Sequence, residues 1–137
     1  MTLIDELRAR LGPDAVLTAD HDVRGHVEDW RGRFRGLAAC VVQPSSTEQV
    51  ADVVRAALRH RTPVLPQGGN TSLCGGAVPS SSGPPPIVVS LSRLRRIRSI
   101  DAANHSMEVE AGCVLATVQQ AAAAAGRLYP VSLGAEG

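Results

Sequence analysis

The sequence predicts an α+β fold built on a small parallel βαβ unit with flanking helices, and three observations predict it. Ala38–Val42 is an unbroken apolar run, the pattern of a strand buried on both faces of a parallel sheet. Val50, Val53, Val54, Ala57 and Leu58 recur at i, i+3, i+4, i+7 and i+8, which draws one apolar face along a helix through Arg59. Val64-Leu65 is a second short apolar run; it stops at Pro66 and opens into a stretch with neither period. Strand, helix and strand with short links form a right-handed crossover, and ligands of such sheets sit at the carboxyl ends of the strands.

The other elements follow in order. Residues 2–10 read as a helix with Leu3, Ile4 and Leu7 on one face, ended by Gly12-Pro13. Residues 13–36 read as an irregular, charged lead-in, so the chain divides into 1–36 and 37–137. Pro44 ends the first strand, and Ser45 or Ser46 caps the long helix with Glu48 or Gln49 as reciprocal partner. Ser80–Pro86 is a low-complexity bridge, and Ile87–Leu91 is the third strand. From Leu91 to Ile100, Leu94 and Ile97 stand at helical spacing among Arg93, Arg95, Arg96 and Arg98, a short helix with a solvated basic face. Met107, Val109 and Ala111 alternate with Ser106, Glu108 and Glu110, a strand with one wet face. Gly112 turns the chain into a helix over Val114–Ala125, with Val114, Leu115, Val118 and Ala121/Ala122 inward and Gly126 as its C-cap.

Composition narrows the function. At 137 residues there is room for one domain with a core. A formal charge of +1 gives no argument for nucleic acid or an anionic membrane surface, and no run reaches the roughly 18 apolar residues of a membrane span. The acidic start, Met1-Thr2-Leu3-Ile4-Asp5-Glu6, lacks the basic and apolar regions of a signal peptide, which makes the cytoplasm the expected compartment. Cys40, Cys74 and Cys113 are odd in number and far apart, which suits small buried or loop-lining thiols rather than disulfides or a metal site. His21-Asp22 and His26-Glu28 have metal-ligand chemistry, but their spacing matches no familiar site; no metal is expected. Arg31, Arg33 and Arg35 read as a solvated basic turn.

The stretch most suited to a ligand is Pro63–Pro79, which carries Gly68-Gly69 and Gly75-Gly76 around small polar residues. Paired glycines let the backbone take positive φ and approach a ligand closely. Successive free N–H groups form a concave anion site, and Asn70, Thr71 and Ser72 add short donors, which together suit a pyrophosphate. Glycine-rich turns also serve as plain connections, and the residues alone leave both readings open. Other phosphate cradles fit worse. The P-loop needs Gly-Lys-Ser/Thr, and all fourteen basic residues here are Arg. The dinucleotide fingerprint needs Gly-x-Gly-x-x-Gly at a helix start. Neither a Gly-x-Ser-x-Gly elbow nor a Schiff-base lysine is present, so no catalytic residue is assigned.

The stretch Pro66-Gln67-Gly68-Gly69-Asn70-Thr71-Ser72-Leu73-Cys74-Gly75-Gly76-Ala77-Val78-Pro79 resembles the first flavin loop of the FAD-binding domain shared by vanillyl-alcohol oxidase and p-cresol methylhydroxylase. Within that superfamily it is most similar to the D-2-hydroxyacid dehydrogenase branch: D-2-hydroxyglutarate dehydrogenase, D-lactate dehydrogenase and the glycolate oxidase flavoprotein subunit. Trp30–Gly36, Val42–Thr47, Glu110–Cys113 and Ser132–Gly137 extend the resemblance, in order, over residues 29–137.

The resemblance implies a p-cresol methylhydroxylase-type fold, in which the parallel unit is followed by the start of a second, mainly antiparallel subdomain, so that 37–137 is a partial FAD-binding domain. It implies FAD held by Pro66, Gly68, Gly69, Asn70, Thr71, Ser72, Gly75 and Gly76, and by Ser132, Leu133, Gly134 and Gly137. Relatives with histidyl-linked flavin carry His after the first Gly-Gly; Asn70 stands there, which implies non-covalent FAD. The flavin would oxidise a small 2-hydroxyacid, with catalytic residues supplied by a missing carboxy-terminal portion or a partner chain. The competing reading is a truncated, non-catalytic fragment without flavin binding of its own.

Overall fold

The structure is a computed structural model and describes residues 1–134. The chain forms two compact units, Met1–Arg93 and Leu94–Gly137.

In the first unit, α1 (Leu3–Leu11) starts at Thr2, whose hydroxyl accepts from the Asp5 amide while the Asp5 carboxylate accepts from the Thr2 amide. This reciprocal cap satisfies donors that a helix start leaves free. The lead-in expected to be irregular is instead ordered. It holds a 3₁₀ turn at Pro13–Ala15, strand β1 (Val16–Leu17) and helix α2 (Asp20–Val27). Elements this short carry too few apolar repeats to show a period, and tertiary contacts form them. Next come β2 (Cys40–Val42), α3 (Thr47–Arg59), β3 (Val64–Gln67) and β4 (Ile87–Ser90). Ser46 caps α3 by accepting from the Gln49 amide, and Gln49 Oε1 accepts from the Ser45 amide.

The sheet order is β1-β2-β4-β3. β2, β4 and β3 run parallel, and β1 joins antiparallel to β2. The crossover through α3 therefore skips one position, which β4 fills. β3 lies at an edge and continues through Pro66 to Gln67, further than the sequence suggested. A proline is tolerated there because an edge strand has one side free of ladder bonds.

Every residue of β2 and β4 is buried. Cys40, Val42, Ile87 and Val89 share a core cluster with Leu7 and Leu11 of α1 and with Val53, Ala56 and Ala57 of α3. Side chains alternate along a strand, so Val41 and Val88 face the opposite side. Burial pushes the Cys40 thiol up to about 11, which leaves it inert packing. The inward face of α3 is Val53, Ala56 and Ala57; Val54 and Leu58, expected inward, are 42% and 74% exposed. Small alanines win because α1 packs close: buried Glu6 of α1 pairs with Arg59 and with His60 (3.0 Å) at the end of α3.

The helix expected over Leu91–Ile100 does not form, and the second unit begins at Leu94. β5 (Ile97–Asp101) pairs antiparallel with β6 (Ser106–Val109). Arg96, just before β5, and Arg98 on it pair with Glu110 and Glu108, at 3.0 and 3.4 Å. On a helix the four arginines would crowd at i, i+3, which is unfavourable. Glu110, expected on the wet face, is buried, and it accepts from the Arg96 amide and guanidinium. Helix α4 (Leu115–Ala124) buries Val118 and Ala122. It ends in a Schellman motif: Gly126 (φ +67) donates to the Ala123 carbonyl and Arg127 to that of Ala122.

Leu7 is fully buried, so Leu7→Ala should cost about 2–5 kcal/mol, while exposed Leu58→Ala should change stability by less than about 0.5 kcal/mol. Urea denaturation measures both, and equal losses would restore the face that the period suggested. Glu6 gives a pH prediction. The Arg59 guanidinium, with His60 adding to it, holds the Glu6 carboxyl below the ordinary glutamate value, against its desolvation. Its stabilisation is thus present above the unfolded-state pKa and lost as pH falls through the lowered one. Glu6→Gln should flatten that part of the acid limb in pH-dependent unfolding.

Candidate functional site

The glycine-rich loop leaves the sheet at the carboxyl end of β3, the place where parallel sheets bind ligands. The residues that shape it come largely from the lead-in. Gln67, the last residue of β3, is 2% exposed. Its Nε2 donates to the His26 carbonyl (2.9 Å) and the Ala77 carbonyl (2.7 Å), while its Oε1 lies 2.5 Å from His26 Nδ1. With the amide nitrogen committed to two carbonyls, Oε1 must be the acceptor, which places the proton on His26 Nδ1. Asn70 Nδ2 donates to the carbonyls of Gly25 (3.1 Å) and Glu28 (2.9 Å). These bonds hold Asn70 at φ +54, a left-handed turn that asparagine tolerates.

A second set of contacts meets the far side of the loop. The Asp29 carboxylate accepts from the Phe34 amide at 2.8 Å. That amide in particular holds the buried carboxyl below the ordinary aspartate value, against desolvation. The turn so fixed lays the Phe34 ring on Gly75. A Cβ built on Gly75 would come within 2.7 Å of Phe34 Cδ1, and Gly75 has φ +74. At Gly36 a Cβ would fall 2.0 Å from the Pro79 carbonyl oxygen, so only glycine lets those two backbones meet.

The glycines of the loop therefore differ in role. Positive φ was expected of the pairs generally, yet Gly75 alone of the four has it. β3 runs straight to Gln67 and the turn is made at Asn70, so Gly68 and Gly69 are not needed for it. A Cβ on Gly68 or Gly76 would meet nothing within 4 Å, and one on Gly69 only the Thr71 methyl at 3.7 Å. Their backbone is bare on that side, which is the fit a phosphate-holding loop needs. Thr71 is exposed and Ser72 half-buried, its Oγ accepting from the Cys74 amide. Pro66 is exposed on the edge strand. A cleft of about 550 Å³ adjoins the loop, lined by His21, Arg24, Glu28, Trp30, Gly69 and Asn70 among others.

Ser132, Leu133 and Gly134 lie exposed in an irregular stretch of the second unit, and Gly137 lies outside the described residues. Of the lead-in histidines, His21 faces Asp22 at 3.4 Å and His26 faces Gln67. No group of three or more His, Cys, Asp or Glu side chains is placed to share a metal among the described residues. Gln67, His26, Asp29, Phe34 and Gly36 went unassigned in the sequence, although Trp30–Gly36 was among the family-like motifs.

Residues 38–137 match the FAD binding domain family. The chain belongs to that family. FAD is the family's cofactor, and the bare glycines at the end of β3 fit it. The D-2-hydroxyglutarate dehydrogenase of Stutzerimonas stutzeri is 33% identical over 135 residues, covering 98% of this chain and 28% of its own. That of Xanthomonas citri pv. viticola is 35% identical over 120 residues, covering 88% and 25%. The chain thus spans about a quarter of the length of these curated relatives. Among solved structures, 4-ethylphenol oxidase from Gulosibacter chungangensis matches with TM-score 0.76 at 25% identity, over 90% of this chain and 24% of that one. p-Cresol methylhydroxylase matches with TM-score 0.73 at 19% identity over the same shares. The fold is the p-cresol methylhydroxylase type.

Two glycine substitutions separate shape from ligand space. Gly75→Ala meets both a left-handed φ and the Phe34 ring, so it should lower stability by about 1–3 kcal/mol. Gly68→Ala projects into open space and should leave the thermal midpoint unchanged. Equal effects would show that one role is shared by all four glycines.

Proposed function

We propose that this chain supplies part of the flavin-binding domain of an FAD-dependent oxidoreductase that oxidises a D-2-hydroxyacid, with the loop 66–77 holding the FAD pyrophosphate. The observation that carries the proposal is the loop's backbone, bare at Gly68 and Gly76 at the carboxyl end of a parallel strand. The substrate class rests on the D-2-hydroxyglutarate dehydrogenases among the relatives. Ser132, Leu133, Gly134 and Gly137 are proposed as a second flavin-contacting stretch.

When bound, the flavin supplies the redox chemistry. The residues of this chain bind and orient it. Backbone N–H groups of the loop would hold the diphosphate charge, and Arg24, lining the adjoining cleft, would add positive charge nearby. Asn70 stands after the first Gly-Gly with both amide hydrogens committed to carbonyls, and an amide is no attachment nucleophile. Attachment is therefore non-covalent.

The protein carrying this chain should show flavin absorbance and reduce a dye with D-2-hydroxyglutarate but not with its L enantiomer. Acid precipitation should release the yellow colour to the supernatant. Gly68→Val should empty the protein of flavin without lowering the apoprotein's thermal midpoint. Full flavin content in that variant would reduce the loop to a connection.

A further inference from the structure

We infer that the segment His26–Gly36 and the amides of Gln67 and Asn70 form a clasp that sets the shape of the glycine-rich loop, with Gln67 as its positioning residue. The inference rests on the reading of that loop as the FAD site, and it adds the part of the chain that prepares the loop.

The last four carbonyls of an α-helix lack partners inside the helix, and α2 ends at Glu28 in extended conformation with no glycine cap. Its carbonyls are satisfied from outside, one after another. Gly25 accepts from Asn70, His26 from Gln67, Val27 from the Gly36 amide, and Glu28 from Asn70 again. Three of the four bonds come from side chains of the glycine-rich loop. The loop is the C-cap of α2, so order in one requires order in the other.

Gln67 does more than cap. Its amide spans from the near end of the loop to Ala77 at the far end, closing a ten-residue chord with one hydrogen bond. Being 2% exposed, it is shielded from any ligand, and its influence on flavin must pass through the loop. Asn70 pins the middle of the same loop, and the Phe34 ring against Gly75 blocks its collapse toward the turn at 29–35. A loop held at both ends and in the middle presents its free amides in one arrangement. Affinity for a diphosphate then depends in part on Gln67, which is shielded from it.

Two variants test the clasp in the protein carrying this chain. Gln67→Met keeps the volume and removes all three bonds. Asn70→Gly removes two donors while easing the left-handed φ, so it tests the clasp even where Gln67→Met fails to fold. FAD is titrated into the apoprotein well below its melting point, and amide exchange at residues 25–28 is followed by mass spectrometry without FAD. Each folded variant should weaken FAD binding by at least about tenfold and speed exchange at 25–28. Affinity within twofold of wild type, or unchanged exchange at 25–28, overturns the clasp. Wild-type protein that takes up no FAD would sink the flavin reading instead, and the exchange measurement would still decide whether loop and helix are coupled.

Discussion

A buried amide must find its hydrogen bonds inside the protein, and the arrangement around the loop follows from where Gln67 finds them. Its backbone ends the edge strand, and its side chain reaches both the end of α2 and the far end of the loop. Neither connection can be moved alone. Shifting α2 would strand the His26 carbonyl and Nδ1–H, and shifting the loop would strand the Ala77 carbonyl. A buried donor or acceptor left alone costs about 1–3 kcal/mol, so these separate displacements oppose one another. The family-matched region begins at residue 38, yet the carbonyls of Gly25, His26 and Glu28 that Gln67 and Asn70 use lie before it.

The glycines divide the same task. Gly36 and Gly75 are demanded by the protein itself, one by the Pro79 backbone and one by the Phe34 ring and a left-handed φ. Gly68 and Gly76 are demanded by nothing in the described structure, which is why they mark the side a ligand would occupy. Sequence alone shows four loop glycines as equals. Only their surroundings separate those that make the loop from those that leave room beside it.

What the sequence revealed follows from how far each signal reaches. The long helix and the apolar strands β2 and β4 were legible because each carries its own period or run. The order of the strands was not, since nothing in Val64–Gln67 says that Ile87–Ser90 will slot between it and Cys40–Val42. The α3 face rotated because the period admits two neighbouring stripes, and the Glu6 pair with Arg59 and His60 selects the alanine-rich one. β5 was misread as helix because Leu94 and Ile97 suit either state; the deciding partners of Arg98 and Arg96, Glu108 and Glu110, lie 10 and 14 residues away. The glycine-rich loop was legible as a stretch through its glycines and its neighbours in order. The clasp was not, because His26, Gln67 and Asn70 meet only after folding.

Holding a loop in advance changes the energetics of what it binds. Fixing one backbone residue costs about 1–2 kcal/mol, so a free ten-residue loop ordered only on contact would consume most of the interaction energy of a diphosphate. Here the ordering happens with the fold of the first unit, where the β2–β4 core supplies the burial that opposes it. The side chains that perform the ordering are neutral amides, which adds a further advantage. Arginines in their place would also tie down carbonyls, but their charge would compete with the backbone N–H groups for the anion. Amides fix the loop without adding a charge of their own beside the bare glycines.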